Sequence, residues 1–398
     1  MNVKITPSAL KGEINAIPSK SYAHRILIAA HLASGETKIN NLIDSHDIIA
    51  TRQCLKDFNL EEPLLNCIES GSTLRFLLPV AGALGLRATF FGKGKLPFRP
   101  NTALVECLKK HGLGIEEHKN VDDGAENIKP IYTLKGKLKS GKYEIDGGVS
   151  SQFISGLLLA LPLLKDDSEI ALTSPLVSKN YVDITLDVLK KFGILIEKTN
   201  FGYFVKGNQA YKKLKEISVE GDWSNSAFWL VASEINGKIE IKGLNKNSYQ
   251  GDRKIQNIIE MCKANEDEIL IDAEDIPDLV PIISVLLARK VKKGTIKNIE
   301  RLKIKESDRI LSTTKLLSSF GVKFELGDNA LTIYKSDFLG GSIIEGFNDH
   351  RIPMTATIAA SVASSSSEIT TANAVNKSYP HFFKDFESLG GIYEKLWV

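Results

Sequence analysis

Six times along this chain of 398 residues a short apolar tip ends in a polar turn, and a long helix follows that is apolar nearly all round. The six segments are IPSKSYAHRILIAAHLA from Ile17, IESGSTLRFLLPVAGAL from Ile68, IDGGVSSQFISGLLLALPLL from Ile145, VEGDWSNSAFWLVASEI from Val219, IDAEDIPDLVPIISVLLA from Ile271 and IEGFNDHRIPMTATIAASVA from Ile344. A helix with no polar face has to lie inside a domain. Each is followed by a second strand and an amphipathic helix, as in LTSPLVSKNYVDITLDVLKKFG, and several of these helices end in Phe-Gly or Leu-Gly, a C-cap signal. Two further strands lead to the next tip, with Gly327-Asp328-Asn329 reading as one of the turns. The repeating unit is βαβαββ, about 66 residues long, and one copy cannot bury its own apolar helix. The chain is too long for one ordinary core. The expectation is an α/β protein of two domains, three units around shared helices in each. Residues 19–218 form one, and residues 1–18 with 219–398 form the other, with crossings near Pro18 and Val219.

Charge narrows the function. The net charge is +3, too even for a non-specific nucleic-acid binder, so any positive site is local. The four cysteines, Cys54, Cys67, Cys107 and Cys262, form no C-x-x-C pair and read as reduced structural thiols. The opening MNVKITPSALKGEINAIPSK lacks the apolar core of a signal peptide. The longest apolar run, Gly156 to Leu164, is about half a membrane span. A soluble, cytoplasmic protein is expected.

The polar residues fall at the first turns. Lys20, Ser21 and Arg25 open the first apolar helix, Gly71, Ser72 and Arg75 the second, and Ser150, Ser151 and Gln152 the third. Asp278 follows Pro277 at the fifth, and Asp349, His350 and Arg351 open the sixth. Arg99, Ser178, Tyr181, Lys305, Glu306, Arg309 and Lys377 sit at the starts of amphipathic helices. Helix capping accounts for Ser, Asp and Gly, and is the default for Ser72, Ser174 and Ser248 taken singly. It does not account for Lys and Arg, which oppose the positive end of the helix dipole at a cost of a few tenths to about 1 kcal/mol each. The repetition of that cost points to anions bound at the helix starts, where free N–H groups and guanidinium forks act together. A cleft between the two domains that holds more than one anionic group is the expectation.

Eight segments in order then resemble the EPSP synthase family: PSKSYAHR (Pro18 to Arg25), GSTLR (Gly71 to Arg75), DGGVSSQF (Asp146 to Phe153), LVSKNYVD (Leu176 to Asp183), IPD (Ile276 to Asp278), KESDR (Lys305 to Arg309), NDHR (Asn348 to Arg351) and NKSYP (Asn376 to Pro380). The resemblance implies an inside-out α/β barrel in each of two domains, with the active site in the interdomain cleft. It implies a monomeric enzyme that joins phosphoenolpyruvate to shikimate 3-phosphate. Carried over by position, Lys20, Ser21, Arg25, Ser150, Ser151, Gln152, Ser178, Tyr181, Asp278 and Lys305 meet shikimate 3-phosphate, with Arg25 at its ring carboxylate. Lys20, Gly71, Arg99, Gln152, Arg309, Arg351 and Lys377 meet phosphoenolpyruvate. Glu69, Phe76 and Arg301 depart from the family's usual residues, and Glu69 and Arg301 are left out of the site.

The implied reaction is carboxyvinyl transfer. The 5-hydroxyl needs a base as it attacks, and Asp278 supported by Lys305 is the candidate. The methylene carbon of phosphoenolpyruvate needs an acid, for which Glu306 and Lys20 are candidates. Fixed cations neutralise the phosphates and carboxylates, so neither cofactor nor metal is expected. No H-x-x-x-H or Cys/His cluster has metal-ligand spacing. His350 reads as a hydrogen-bonding residue of the site, and His24, His31 and His46 complete no ligand set. Two rivals stand beside this reading. A sister transferase acting on a UDP-sugar typically has Asn after the first Lys, where this chain has Ser21. The other is a protein of the same fold that binds RNA ends, against which the near-neutral charge argues, or that does not catalyse, against which Asp278, Lys305 and Glu306 together argue. The partners expected are small anions, with no nucleic acid and no membrane.

Overall fold

The computed structural model describes residues 1–119 and 127–396. The chain divides into two compact units, Met1–Ile17 with Gly221–Val398, and Pro18–Glu220.

In the unit Pro18–Glu220 the apolar segments form the helices Lys20–Leu32, Gly71–Leu84 and Ser151–Ala160. Leu74, Leu77, Phe153, Leu157 and Leu158 are sealed from solvent. Two of these helices lie against one another so closely that a Cβ on Gly156 would stand 2.3 Å from the carbonyl oxygen of Arg75. Gly71–Leu84 and Ser151–Ala160 are each the crossover that a parallel strand pair requires. Leu64–Asn66 runs parallel to Thr89–Gly92, which pairs antiparallel with Lys129–Lys135, and that strand with Gly114–Glu117. Lys142–Ile145, Ser168–Leu172, Gly202–Val205 and Ile196–Thr199 repeat the same order. Lys38–Asn40 and Glu216–Ser218 form a parallel pair.

The other unit has the same pattern. Glu268–Asp272 runs parallel to Lys293–Lys297, followed by Ala330–Tyr334 and Phe324–Leu326 in antiparallel order. The hairpin turns at 327–329, as the Gly-Asp-Asn run predicts. Ile343–Ile344 is parallel to Ser367–Ile369, and the N-terminal strand Asn2–Thr6 lies between Ser367–Ile369 and Ile392–Leu396. Leu10–Asn15 pairs parallel with Gly237–Lys242. Its buried helices are Trp223–Asn236, Val280–Lys290 and Arg351–Ala360.

The C-cap signals are used as read. Gly193 and Gly321 follow Phe192 and Phe320 at helix ends with φ of 77° and 70°, a backbone that residues with a side chain rarely adopt. No helix among the described residues is long and apolar enough to cross a membrane.

Candidate active site

Each unit gathers its own set of polar residues at the tips of its buried helices.

In the unit Pro18–Glu220, Lys20 is the first residue of its helix, and its Nζ lies 2.9 Å from Oδ2 of Asp47. Asp47 escaped the sequence reading. It lies in the first turn of the helix His46–Asp57, where an acid is ordinarily explained by the dipole. Gly71 begins the next buried helix, capped by Ser70. The preceding turn is strained: Ile68 is β-branched yet has φ of 54°, a conformation that gathers where geometry is over-determined. The guanidinium of Arg99 lies over Gly71, with Nη1 2.5 Å from where a Cβ would be. Any side chain at position 71 has to displace that guanidinium.

Arg25 and Arg75 lie a full turn inside their helices rather than at the first turn, and both are buried. Arg25 donates to Thr185 Oγ1 at 2.6 Å, to Ser155 Oγ and to the carbonyls of Ser21 and Tyr181. Burial pulls its pKa down to about 10. Arg75 donates to Asn101 Oδ1 at 2.7 Å, to Gln152 Oε1 at 2.8 Å and to the Pro100 carbonyl. Gln152 in turn donates to Ser72 Oγ. Arg75 is therefore the strut that ties the Pro100–Asn101 turn to Gln152 and Ser72. Its partners are all neutral, and burial, with Arg99 nearby, holds its pKa well below the ordinary guanidinium value. Asn101 was not legible as a site-supporting residue. Ser150 caps its helix by accepting from Gln152 N, and Ser151 is the first helical residue. Ser178 is buried in the left-handed region at φ of 51°, and Tyr181 follows within the first turn of Lys179–Lys191. Ser174 is a turn residue: its hydroxyl donates to Asp146 and accepts from the Gly148 N–H.

The second set is in the unit Met1–Ile17 with Gly221–Val398. Asp278 sits in the short 3-10 turn Pro277–Leu279. Its Oδ1 accepts from Arg309 at 2.6 Å and lies 3.4 Å from Lys305 Nζ, and its Oδ2 is 3.3 Å from Arg351. Burial pushes the Asp278 carboxyl up, but Lys305, Arg351 and Arg309 together outweigh it and hold it well below the usual carboxylate range. Arg309 also makes a two-pronged pair with Asp349, through Nε to Oδ2 at 2.7 Å and Nη2 to Oδ1 at 3.1 Å, and both residues are buried. Ser307 completes Asp349. His350 Nδ1 is 2.7 Å from Glu306 Oε2. Arg351 donates to the Ser224 carbonyl at 3.3 Å. Lys377 donates to the carbonyl of Asn348 at 2.7 Å; it ends the 3-10 turn Ala372–Lys377 instead of opening a helix. Phe347 and Asn348 both have positive φ, so the chain enters the Arg351 helix through a left-handed turn.

Lys305, Arg309 and Arg351 are thus met by the chain's own carboxylates, which the charge pattern alone does not reveal. Asp252 is one such group beyond the sequence reading. It is buried, and burial together with the neighbouring Asp278 charge pushes its carboxyl up to about 7 against the opposing pull of Arg351. Glu306, Asp349 and His350 also bring one donor atom each within 4.8 Å of the others, a grouping no sequence spacing suggested. Those carboxylates are engaged by Arg309, Ser307 and His350, so the trio reads as part of the ion-pair network.

The fold is that of the enolpyruvyl transferases. An EPSP synthase from Acinetobacter baumannii superposes with a TM-score of 0.81 at 21% identity, over 99% of this chain and 100% of that one. An enolpyruvyl transferase from Streptomyces tendae does so with a TM-score of 0.72 at 13% identity, over 99% and 98%. Sequence narrows the class. A 3-phosphoshikimate 1-carboxyvinyltransferase of Clostridium kluyveri is 39% identical over 98% of this chain and 97% of its own length. One from Clostridioides difficile is 36% identical over 98% of each. The profile of the EPSP synthase (3-phosphoshikimate 1-carboxyvinyltransferase) family matches residues 5–63 and 58–386. The chain belongs to the EPSP synthase family.

Proposed function

We propose that this chain transfers the enolpyruvyl group of phosphoenolpyruvate to the 5-hydroxyl of shikimate 3-phosphate, in the shikimate pathway to chorismate and aromatic amino acids. The observation that carries the reading is Asp278, an ionised carboxylate held among Lys305, Arg309 and Arg351. A base surrounded by cations suits a reaction in which a hydroxyl attacks a phosphorylated, carboxylated partner.

In the addition step the hydroxyl oxygen bonds to C2 of phosphoenolpyruvate, its proton passes to Asp278, and C3 gains a proton from Glu306 or Lys20. The product is a tetrahedral adduct. In the elimination step the C2–O bond to phosphate breaks, C3 returns a proton to the Glu306 or Lys20 that supplied one, the departing phosphate takes up the proton held by Asp278, and the enolpyruvyl ether and hydrogen phosphate result. Atoms and charge balance without a cofactor or a redox step. Asp278 alone is a weak base, because its neighbours hold its proton affinity down. Anions arriving at Lys305, Arg309 and Arg351 offset those cations and raise its basicity, so that the substrates prepare the base.

The remaining roles follow the family's pattern. Lys20, Ser21, Arg25, Ser150, Ser151, Gln152, Ser178 and Tyr181, with Asp278 and Lys305, take shikimate 3-phosphate. Lys20, Gly71, Arg99, Gln152, Arg309, Arg351 and Lys377 take phosphoenolpyruvate. The strand orders support three βαβαββ units around the buried helices of each unit, an inside-out α/β barrel. Free buried thiols at Cys54, Cys67, Cys107 and Cys262 suit a reducing compartment, and we place the enzyme in the cytoplasm as a monomer.

The test is incubation with shikimate 3-phosphate and phosphoenolpyruvate in the presence of a chelator, with phosphate release measured. Release with a UDP-sugar acceptor instead of shikimate 3-phosphate moves the assignment to the sister enzyme.

A further inference from the structure

A file of buried polar groups crosses three helices of the unit Pro18–Glu220 and has no part in the reaction as described. His24 lies one turn after Lys20 on the first helix. Its Nδ1 is 2.7 Å from Thr51 Oγ1, on the helix His46–Asp57 that also carries Asp47. Thr51 Oγ1 is 2.7 Å from Thr73 Oγ1 on the helix that starts at Gly71, and Thr73 Oγ1 donates to Ser70 Oγ at 2.7 Å. Ser70 Oγ also accepts from the Thr73 N–H at 3.2 Å and so caps that helix. His24, Thr51, Thr73 and Ser70 are each at most 1% exposed.

Counting protons gives the file a direction. A hydroxyl has one hydrogen to give. Thr73 gives its own to Ser70 at 2.7 Å rather than to the Asp47 carbonyl at 3.5 Å, and Thr51, whose other acceptor is that same carbonyl at 3.4 Å, gives its own to Thr73 at 2.7 Å. The hydrogen between Thr51 and the imidazole then belongs to His24 Nδ1. That leaves Nε2 bare, and Nε2 is a buried atom with no hydrogen-bond partner among the described residues. A bare nitrogen edge facing apolar neighbours such as Phe76, 6.3 Å away between ring centres, costs less than an orphaned N–H there. Burial also pulls the His24 pKa down to about 3, so the ring is neutral across the physiological range.

We infer that His24, Thr51, Thr73 and Ser70 form a positioning chain that fixes Lys20 against the Ser70–Gly71 turn. The two ends of the file are the helix of Lys20 and the turn beneath Arg99, both placed at phosphoenolpyruvate by the function proposed above, on which this inference rests. Ser155 and Thr185, the buried partners of Arg25, form a separate hydroxyl cluster, so the file acts through Lys20 and the Ser70–Gly71 turn and not through Arg25.

Two measurements test it. Thr73→Val keeps the shape and removes the linking hydroxyl, while Thr73→Ser keeps the hydroxyl. The expected result is a KM for phosphoenolpyruvate about tenfold higher in the Val variant, a smaller rise for shikimate 3-phosphate, which shares Lys20 but not the Gly71 turn, and restoration of both by Ser. Equal rises in both KM values, or no rise beyond about twofold, overturns the inference. The second measurement is imidazole nitrogen NMR on the full chain without substrate, with the His24 signals assigned by their loss in His24→Asn. A neutral ring protonated on Nδ1 down to pH 5 is expected, and protonation on Nε2 overturns the proton order. Because that spectrum involves no substrate, it stands apart from the assay: a wild-type chain without turnover sinks the proposed reaction, whereas the ring tautomer judges the file itself.

Discussion

The guanidinium of Arg99 occupies the space that a side chain on Gly71 would need, with Nη1 2.5 Å from the Cβ position. Gly71 is helical, so its backbone does not demand glycine, and the neighbouring guanidinium does. Gly71→Ala is expected to push Arg99 aside and raise the KM for phosphoenolpyruvate by about tenfold or more, with Tm within about 2 °C of the wild type. Steady-state kinetics with each substrate varied in turn decide it. An unchanged KM for phosphoenolpyruvate removes Arg99 from that substrate.

Asp278 is the shared partner of Lys305, Arg309 and Arg351. Asp278→Asn takes away the base and the negative charge while keeping the shape. Turnover is expected to fall by about 10²–10⁴-fold. Phosphate, a free anion for the released cations, is expected to raise the Tm of the variant more than that of the wild type. A variant that keeps most of its turnover places the base elsewhere.

Asp349 faces Arg309 in a pair that water does not reach. Removing one partner of such a pair leaves a buried charge, and Asp349→Ala is expected to cost about 3–5 kcal/mol in urea unfolding. Burial raises the Asp349 carboxyl, but Arg309 outweighs it and the net shift is downward. The folded value is below the unfolded one. The stabilisation is therefore complete above about pH 4, the unfolded value, and is lost as pH falls through the folded value. The wild type should lose its advantage over the variant only in acid.

Asp252 runs the other way. Its carboxyl is pushed up to about 7 in the fold, above the unfolded value near 4. The folded state holds the extra proton between those values, so this group's contribution to stability falls as pH rises from about 4 to about 7. Asp252→Asn carries no charge to bury. It is expected to match the wild type in stability near pH 4 and to exceed it by about 1 kcal/mol or more at pH 8, read from urea midpoints at both values. A difference that does not grow with pH contradicts the raised carboxyl.

How far the sequence could be read varies with the kind of residue. Lys20, Arg309 and Arg351 read as helix-start residues, and each is the first residue of its helix. Arg25, Arg75 and Lys377 read the same way and are not there, because a cation a few residues from a turn looks alike at the first turn, the second turn or the end of a 3-10 segment. Asp47, Asn101 and Asp252 passed unnoticed, since each has an ordinary local explanation at a helix or turn start. Their importance lies in partners 27, 26 and over 25 residues away in sequence.

The sequence by itself determined the recurring apolar helices, the glycine-ended amphipathic ones, the hairpin at 327–329 and the motifs that mark the family. All of these are local: they depend on periodicity, turn chemistry and residues within a few positions of one another. Only the tertiary structure decided which carboxylate answers which cation. Asp349 and Asp278 meet Arg309 across 40 and 31 residues, and His24 reaches Ser70 through hydroxyls on two other helices. The physical reason is that a buried charge or hydroxyl is tolerated only with partners in place, and those partners arrive through the packing of distant helices, which no local pattern records.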